Sequence, residues 1–338
     1  MTITYDPKHP KYLDEKDVRD ELTRVYDLCH GCRLCFKFCT SFPTLFDFID
    51  QHDDQDAGKL TVAQQDQVID ECFQCKLCYI NCPYIPGQSE WELDFPRLML
   101  RADAMRHANK QISLRDRATT NVMGRTDLLG KVATKAAPVM NKMMGAKPGS
   151  AVRKAIEVTA GVSSKRVLPP FAKQRFTTWF KRRPKLRIGK RQGRVALFPT
   201  CLVEYQAPEI GHDLVKVYER NGVECTLADT TQCCGAPFLH SGDIENFTKV
   251  AEKNVAALAN TVRKGNDIVV PQPTCGYVLK KDYLDYVGGP DAQLVAEHTY
   301  DASEYLIKLH KAEGTSLDTE FTGDVPESIT YHTPCHLR

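Results

Sequence analysis

Apolar side chains in the N-terminal third of the chain follow a helical period. Three of them recur at i, i+4 and i+7 and predict a helix over residues 13–28: Val18, Leu22 and Val25. Thr61, followed three residues later by Gln64, matches a capping box, so a second helix should begin there and lead to Cys72. Helices are therefore expected to frame this part of the chain.

The same period continues in residues 111–192. Four apolar residues predict a helix that Pro138 kinks or divides: Leu128, Val132, Val139 and Met143. A shorter helix is predicted after Pro169 and Pro170, and Pro184 should end it. The apolar side of this helix consists of Ala172, Phe176, Trp179 and Phe180.

From Arg194 onward, short apolar runs alternate with helical patterns. The predicted strands cover residues 195–198, 223–227 and 268–270, and the predicted helices between them cover residues 210–220 and 246–264. This order is typical of βαβ units that form a parallel sheet. Functional residues are then expected at the carboxyl ends of the strands.

Composition narrows the class of protein. The chain has 338 residues, enough for two or three domains, and its 42% apolar and 26% charged residues are usual for a soluble globular protein. No apolar run approaches the ~18 residues of a membrane span, and the polar N-terminus lacks the core of a signal peptide. A cytoplasmic location is therefore expected. In a reducing compartment, fourteen cysteines favour metal ligation over disulfides.

The net charge of +2 conceals two stretches of opposite sign. Residues 40–71 contain eight acidic side chains and one lysine, whereas residues 173–194 contain ten Lys or Arg and no acidic residue. The basic segment 171–194 has two main interpretations. Its aromatic side packs in the core of the protein, or the segment docks on an anionic membrane surface, which would make the protein peripheral on the inner face of the cytoplasmic membrane. An acidic partner is a further alternative, and a nucleic-acid partner is not favoured.

Eight of the cysteines form two copies of the spacing C-x2-C-x2-C-x3-C. The first copy is Cys29, Cys32, Cys35 and Cys39, and the second is Cys72, Cys75, Cys78 and Cys82. In bacterial ferredoxins this run supplies three thiolates to one [4Fe–4S] cluster and the fourth to a second cluster. A zinc site would instead pair two C-x2-C knuckles. The sequence therefore predicts two clusters.

The crossed arrangement assigns each fourth cysteine to the other cluster. Cluster 1 is predicted to be held by Cys29, Cys32, Cys35 and Cys82, and cluster 2 by Cys72, Cys75, Cys78 and Cys39. Pro83 directly follows the second run, whereas Thr40 follows the first. Apolar residues after the second run should cover the clusters and exclude water, namely Trp91, Leu93, Phe95 and residues 98–100.

Four further cysteines lie at or beyond the predicted strand ends: Cys201, Cys233, Cys234 and Cys275. Side chains at such positions point into one crevice. Two adjacent thiolates can bind different irons of one cluster, and Gly235 allows a tight turn beside them. An iron–sulfur cluster and zinc are both candidates for this third site. Cys225 lies within a predicted strand and is expected to be a small core residue.

The cysteine order resembles that of a known family. Its elements are Cys201, the run Cys233-Cys234-Gly235 and the run Pro273-Thr274-Cys275. It is similar to the cysteine-rich domain in the D subunit of heterodisulfide reductase, the C subunit of anaerobic glycerol-3-phosphate dehydrogenase and the iron–sulfur subunit of glycolate oxidase. Those proteins also begin with a two-cluster ferredoxin domain. The resemblance implies that electrons leave a flavin subunit, cross the clusters and reach a quinone or a disulfide.

Two departures from the family pattern limit this resemblance. In heterodisulfide reductase the motif continues to a fifth cysteine, where this chain has Val278, so a four-thiolate cluster or structural zinc is expected. The family also carries the motif twice. The run from Tyr331 to His336 resembles the opening of a second copy, with Cys335 as a candidate ligand and His332 and His336 beside it. We therefore expect the sequence to be a truncated piece of a longer protein.

Together these features predict an α+β multidomain protein with four parts. Residues 1–110 should form an all-α ferredoxin-like dicluster domain, residues 111–192 a basic helical linker or docking segment, residues 193–325 an α/β cysteine-rich domain with a parallel sheet, and residues 326–338 the start of the truncated second copy.

The sequence contains neither G-x-G-x-x-G nor G-x-x-x-x-G-K-[ST], and no flavin or NAD is expected in this chain. One-electron centres without a two-electron cofactor predict an electron-transfer subunit of an oxidoreductase. Its expected partners are a flavoprotein dehydrogenase and a quinone or other acceptor. Two alternatives are a catalytic subunit that reduces a heterodisulfide or thiol substrate at the Cys-Cys-Gly site, and an iron–sulfur redox sensor.

Overall fold

The computed structural model describes residues 4–184, 189–229, 233–321, 323–324 and 326–337. The chain divides into two compact units. The first unit comprises Met1–Ile112, Phe238–Ile244 and Thr333–Arg338, and the second comprises Ser113–Pro237 and Glu245–His332. Helices combined with one parallel sheet confirm the predicted α+β class. The division into four parts stays a prediction.

Helices build the first unit around the two cysteine runs. They are α1 (Glu15–Cys32), α2 (Ser41–Asp50), α3 (Val62–Asp70), α4 (Leu77–Ile80) and α5 (Phe95–Ala108), with a 3₁₀ turn at Ala57–Lys59. The described residues 4–112 contain no strand. The helix predicted at residues 13–28 is present and extends further, so that Cys29 and Cys32 lie about one turn apart on α1.

Local capping chemistry sets the ends of these helices. Asp14 caps α1 by accepting a hydrogen bond from the Asp17 N–H, and Arg33 ends the helix in the left-handed conformation with φ 54°. At the start of α3, both hydrogen bonds of the predicted capping box join Thr61 and Gln64. The caps therefore determine where the chain leaves each helix and enters a cysteine run.

A buried apolar cluster lies behind the cysteine runs. It includes Leu22, Tyr26, Phe42, Phe46 and Phe95. Leu93 and residues 98–100 are buried, whereas Trp91 is 43% exposed. The prediction that these residues cover the clusters stays a prediction. The Trp91 carbonyl accepts a hydrogen bond from Arg24 Nη1 at 3.0 Å, which holds this segment at the surface.

A four-stranded parallel sheet forms the centre of the second unit. Its strands are β1 (Gly193–Leu197), β2 (Val223–Leu227), β3 (Asp267–Val270) and β4 (Thr299–Asp301), in the order β2-β1-β3-β4. The predicted parallel sheet is confirmed. The sequence analysis missed β4, because its three residues, Thr-Tyr-Asp, form no apolar run.

Helices precede and follow the strands along the chain. Before β1 they are α6 (Leu114–Gly124), α7 (Thr126–Lys135), α8 (Ala137–Met144), α9 (Ala151–Ala160) and α10 (Phe176–Arg182). After β1 they are α11 (Cys201–Tyr205), α12 (Pro208–Arg220), α13 (Ala236–Leu239), α14 (Ile244–Arg263), α15 (Pro273–Tyr277), a π-helix (Val278–Asp282), α16 (Tyr283–Tyr286), α17 (Gly289–Glu297) and α18 (Ala302–Lys311). Pro138 lies in the first turn of α8, and the predicted division of the helix occurs at Ala136. Over the described ranges, no helix combines the length and apolar character of a membrane span.

The aromatic side of α10 packs in the core of the second unit. Phe176 and Phe180 belong to the same buried cluster as Val195 and Leu197 of β1. Of the two interpretations of this side of the helix, core packing is therefore confirmed, and docking of its aromatic side on a membrane is wrong. Residues 185–188 of that segment lie outside the described residues.

Candidate metal centres

The thiols predicted for cluster 1 lie around one pocket in the first unit. Cys29, Cys32, Cys35 and Cys82 line it, together with apolar side chains that include Leu34, Phe42, Phe46 and Leu93. Two of these cysteines are positioned by α1, and Cys82 comes from the second run. The fold thus brings the last cysteine of the second run to the first three of the first run.

The thiols predicted for cluster 2 also lie near one another. The thiol of Cys39 interacts electrostatically with Cys75, and that of Cys72 interacts with Cys39. Cys78 is buried and interacts with Cys35 of the other set as well as with Cys72 and Cys75. The division of the eight thiols into two sets and their role as ligands stay predictions.

Burial changes the acidity of these thiols. Desolvation raises the pKa of Cys35 and of Cys72 to about 12, and it raises the pKa of Cys29 well above its ordinary value. Such thiols ionise when a metal cation binds them. Buried sulfur donors in an apolar pocket therefore fit an iron–sulfur cluster.

Hydrogen-bond donors face sulfur atoms in both sets. The Tyr84 N–H lies 3.4 Å from Cys82 Sγ, and Gln74 Nε2 lies 3.7 Å from Cys72 Sγ. Donors at these positions stabilise negative charge on a thiolate and help to set the reduction potential of a cluster that it ligates.

In the part of the chain that the structure describes, no group of three or more His, Cys, Asp or Glu side chains is arranged to hold a metal ion. A [4Fe–4S] cluster takes one thiolate at each of its four irons, so its ligands surround a pocket and do not converge on one point. The arrangement of the cluster 1 thiols around their pocket is of this kind.

The Cys-Cys-Gly site lies at the carboxyl ends of three neighbouring strands. Cys201 begins α11 after β1, Cys233 and Cys234 follow β2, and Cys275 lies in α15 after β3. Hydrogen bonds join Cys201 to Cys233 and Cys233 to Cys234. The Sγ atoms of Cys234 and Cys275 lie 3.3 Å apart. All four thiols therefore form one continuous group.

Hydrogen bonds within this group change the acidity of its thiols. Hydrogen bonds from Cys201 and Cys234 lower the pKa of Cys233, and the same bonds raise the pKa of Cys201 and of Cys234. Four neighbouring thiols are a donor set that suits iron or zinc.

Three residues that the sequence analysis did not identify hold the Cys-Cys pair. Asp127 Oδ2 accepts a hydrogen bond from the Cys233 N–H at 2.7 Å. Asn254 Nδ2 donates to the Cys233 carbonyl, and the Tyr283 hydroxyl donates to the Cys234 carbonyl, each at 2.9 Å. The sequence offered only a weak indication of a role for Asp127, which is one of only three acidic residues in residues 111–192.

Gly235 allows the turn after the Cys-Cys pair, as predicted. Its φ is +91°, a conformation that residues with a side chain rarely adopt. A Cβ atom at this position would lie 2.9 Å from Cδ2 of Phe247. Both the backbone conformation and the space around it therefore require glycine.

A cavity of about 400 Å³ reaches Cys201 and Cys233. Its wall carries three cationic side chains: Lys131, Arg175 and Lys181. Two of the carboxylates on the same wall are already paired, Glu204 with Arg175 at 3.5 Å and Asp229 with Lys264 at 2.7 Å. A small molecule could therefore reach these two thiols.

The remaining predicted residues have clear positions. Cys225 is buried on β2 and is a core residue, as predicted, and Val278 is buried where the resemblance would place a fifth ligand.

Cys335 lies in a 3₁₀ turn in the first unit, where the His336 ring Nε2 lies 2.8 Å from the Gln74 carbonyl oxygen. His332 is exposed. The role of Cys335 as a ligand stays a prediction.

Residues 195–280 match the family model CCG, the cysteine-rich domain. The chain is 30% identical to the C subunit of anaerobic glycerol-3-phosphate dehydrogenase of Escherichia coli K12 over 64% of this chain and 52% of that protein. It is 32% identical to the B subunit of fumarate reductase (CoM/CoB) of Methanothermobacter marburgensis over 44% of this chain and 27% of that protein. Lactate utilization protein A of Shouchella clausii is 29% identical over 42% of this chain and 57% of that protein. No solved structure matches.

The matched range contains all four residues of the Cys-Cys-Gly site, which therefore lies in the cysteine-rich domain. The chain spans about half the length of the glycerol-3-phosphate dehydrogenase relative. The predicted resemblance is confirmed, and these matches support an iron–sulfur subunit of an oxidoreductase.

Proposed function

We propose that this chain is an electron-transfer subunit of a multi-subunit oxidoreductase. The observation that carries the proposal is the grouping of Cys82 with Cys29, Cys32 and Cys35 around one apolar pocket. Cys29, Cys32, Cys35 and Cys82 would hold one [4Fe–4S] cluster, Cys72, Cys75, Cys78 and Cys39 a second, and the cysteine-rich domain a third cluster or zinc. When bound, such clusters supply one-electron oxidation and reduction. We further propose a flavoprotein dehydrogenase as one partner, a quinone as acceptor and a cytoplasmic location.

The protein's own residues give these sites two properties that electron transfer requires. Apolar side chains such as Phe42 and Leu93 keep water away from the cluster 1 thiols. The Cys78 thiol interacts electrostatically with Cys35 of the other set, so the two sets are close neighbours. Buried and adjacent sites favour short electron steps between centres.

Paired serine variants test the crossed ligation. Cys82→Ser should alter the same low-temperature paramagnetic resonance signal as Cys32→Ser, and Cys39→Ser should alter the same signal as Cys75→Ser. The crossed assignment is wrong if Cys82→Ser instead shares its effect with Cys75→Ser. Cys225→Ala, in the sheet core, is the matched control and should leave both signals unchanged.

The cavity beside Cys201 and Cys233 favours a second candidate function, the reduction of a disulfide or thiol substrate at the cysteine-rich domain. Two electrons and two protons convert one disulfide into two thiols. The cationic side chains of Lys131 and Lys181 on the cavity wall would interact favourably with carboxylates of such a substrate.

Anaerobic assays with reduced methyl viologen as electron donor and oxidised glutathione as disulfide test this second candidate. Turnover that falls in a Lys131→Ala/Lys181→Ala variant would support a catalytic site in the cavity. Full reduction of the metal centres by the dye, with no thiol produced, would leave electron transfer as the function.

A further inference from the structure

The two cysteine runs carry different residues between their cysteines. Gly31 and Arg33 lie among the first three cysteines of the first run, and Gln74 and Lys76 occupy the same positions in the second run. Gly31 has no side chain that could donate a hydrogen bond, whereas the Gln74 amide has two N–H donors. The surroundings of the two predicted clusters therefore differ.

Gln74 donates to the Cys72 thiol. Its Nε2 lies 3.7 Å from Cys72 Sγ, and its backbone N–H forms a second hydrogen bond with the same sulfur. Lys76 Nζ in turn donates to Gln74 Oε1 at 3.3 Å. The amide thus connects the Lys76 ammonium group to the Cys72 sulfur, and hydrogen bonds in such a chain strengthen one another.

Both of these polar side chains are buried, since Gln74 is 3% exposed and Lys76 is 7% exposed. A lysine is rarely buried to this extent, and its charge acts more strongly on its neighbours there than in water. Both residues also have a positive φ, 53° for Gln74 and 65° for Lys76, in a conformation that favours glycine. Residues held in such conformations cluster at functional sites. A buried ammonium group and a strained backbone therefore coincide beside Cys72.

Two cations beside the first run are paired with carboxylates. The Arg33 side chain is 44% exposed and forms an ion pair with Asp50 at 2.5 Å. The charge of Arg24 acts on Cys29, and this side chain forms two hydrogen bonds of 2.7 Å with Glu21. A carboxylate at such a distance offsets much of the field of a cation. The positive charge of these two side chains is thus largely offset at the first run.

Gln74 and Lys76 stabilise negative charge at Cys72. Burial raises the pKa of the Cys72 thiol to about 12, and the Gln74 N–H and the Lys76 charge both oppose that rise. The carboxyl group of Asp103 acts in the opposite direction, but it is paired with Arg106 at 3.4 Å. Groups that stabilise a thiolate also stabilise the additional negative charge of a reduced cluster that the thiolate ligates.

We propose that Gln74 and Lys76 raise the reduction potential of cluster 2 above that of cluster 1. An electron shared by the two centres would then lie mainly on cluster 2. This inference rests on the proposed function, because it requires a cluster at each set of thiols. Gln74 and Lys76 are positioning residues in this role, since they act through the Cys72 sulfur and do not ligate iron.

Redox titration of the full chain, followed by low-temperature paramagnetic resonance, tests this proposal. In the wild type, the signal that Cys75→Ser alters should have the higher midpoint potential. Lys76→Met should make reduction of cluster 2 about tenfold less favourable, which corresponds to a potential lower by about 59 mV for one electron. Gln74→Leu should lower the same potential, and Lys76→Arg, which keeps the charge, should retain most of the wild-type value.

Arg33→Met is the matched control at the equivalent position of the first run, and it should leave the potential of cluster 2 unchanged. Because Lys76 acts partly through the Gln74 amide, Lys76→Met should have a smaller effect in a Gln74→Leu background than in the wild type.

A wild-type protein in which the signal that Cys75→Ser alters has the lower potential would overturn the proposal. So would an unchanged potential in Lys76→Met or Gln74→Leu, or an equal shift of both clusters. Loss of iron from these two variants and from Lys76→Arg alike would assign the residues a structural role instead. Iron and acid-labile sulfide, measured on the same samples, report separately on the proposed electron transfer, which would fail if the wild type held neither.

Discussion

Asp127 connects the cysteine-free middle of the chain to the Cys-Cys-Gly site. Its Oδ2 accepts the Cys233 N–H at 2.7 Å, and burial raises the pKa of its carboxyl to about 6. We predict that Asp127→Ala leaves the Cys233 N–H without its acceptor and loosens the turn that carries both thiols. Removal of one partner of a buried hydrogen bond costs about 1–3 kcal/mol.

The metal content of Asp127→Ala measures this effect. About eight irons per chain should remain at the two ferredoxin sets, while the metal of the cysteine-rich domain falls. Asp127→Asn keeps an oxygen that can accept the bond and should retain more of that metal. Equal metal content in the wild type and Asp127→Ala would contradict the role assigned to this carboxylate.

His212 predicts a pH dependence of stability. Burial, and then the neighbouring Lys216, lower the pKa of His212, and its Nε2 is buried without a hydrogen-bond partner among the described residues. The folded state therefore holds a neutral ring, whereas the unfolded chain takes up a proton below about pH 6.5. His212 thus makes its full contribution to stability above that pH, and the contribution falls as the pH drops below it.

Urea unfolding at pH 5.5 and pH 7.5 measures this dependence. Trp179 is a suitable fluorescence probe, because its ring centroid lies 3.9 Å from that of His212. His212→Phe should lose less stability than the wild type between the two pH values. An identical loss in both proteins would exclude His212 as the cause.

At the scale of elements, the packing of α7 against α11 depends on Gly130. A methyl group there would overlap the Tyr205 ring, and overpacking of this kind typically costs about 1–3 kcal/mol. Gly130→Ala should therefore lower the free energy of unfolding of the second unit. Because α7 also carries Asp127, the variant should reduce the metal content of the cysteine-rich domain.

Chemical denaturation of Gly130→Ala measures the first effect. Lys135→Ala, at an exposed position on the same helix, is the control and should change stability by less than about 0.5 kcal/mol. Unchanged stability in Gly130→Ala would show that α7 can move away from Tyr205 without loss.

Some elements could be predicted from the sequence and others could not. The Thr61 capping box and strand β2 follow from local chemistry and from a short run rich in apolar and β-branched residues, and both are present where predicted. The orientation of α7 and α8 could not be predicted. The spacing of Leu128 and Val132 fixes a helical period, but only the contact with Tyr205 decides which side of the helix faces the core.

For the whole molecule, cysteine spacing predicted that Cys82 would lie with Cys29, Cys32 and Cys35, and these four thiols line one pocket. The positions of supporting residues depend on long-range folding, and no local pattern reveals them. Asn254 lies twenty-one residues beyond Cys233, and Tyr283 lies forty-nine residues beyond Cys234. Segments Phe238–Ile244 and Thr333–Arg338 likewise belong to the first unit although they are distant from it in sequence.

Iron and acid-labile sulfide per chain, measured on anaerobically purified protein together with low-temperature paramagnetic resonance, test the central claim most directly. We predict at least about eight irons and a matching amount of sulfide in two clusters. If the cysteine-rich domain holds a third cluster, the content rises to about twelve irons. If it holds zinc instead, the roughly eight irons are accompanied by one zinc. Folded, redox-active protein without iron and sulfide would contradict the account.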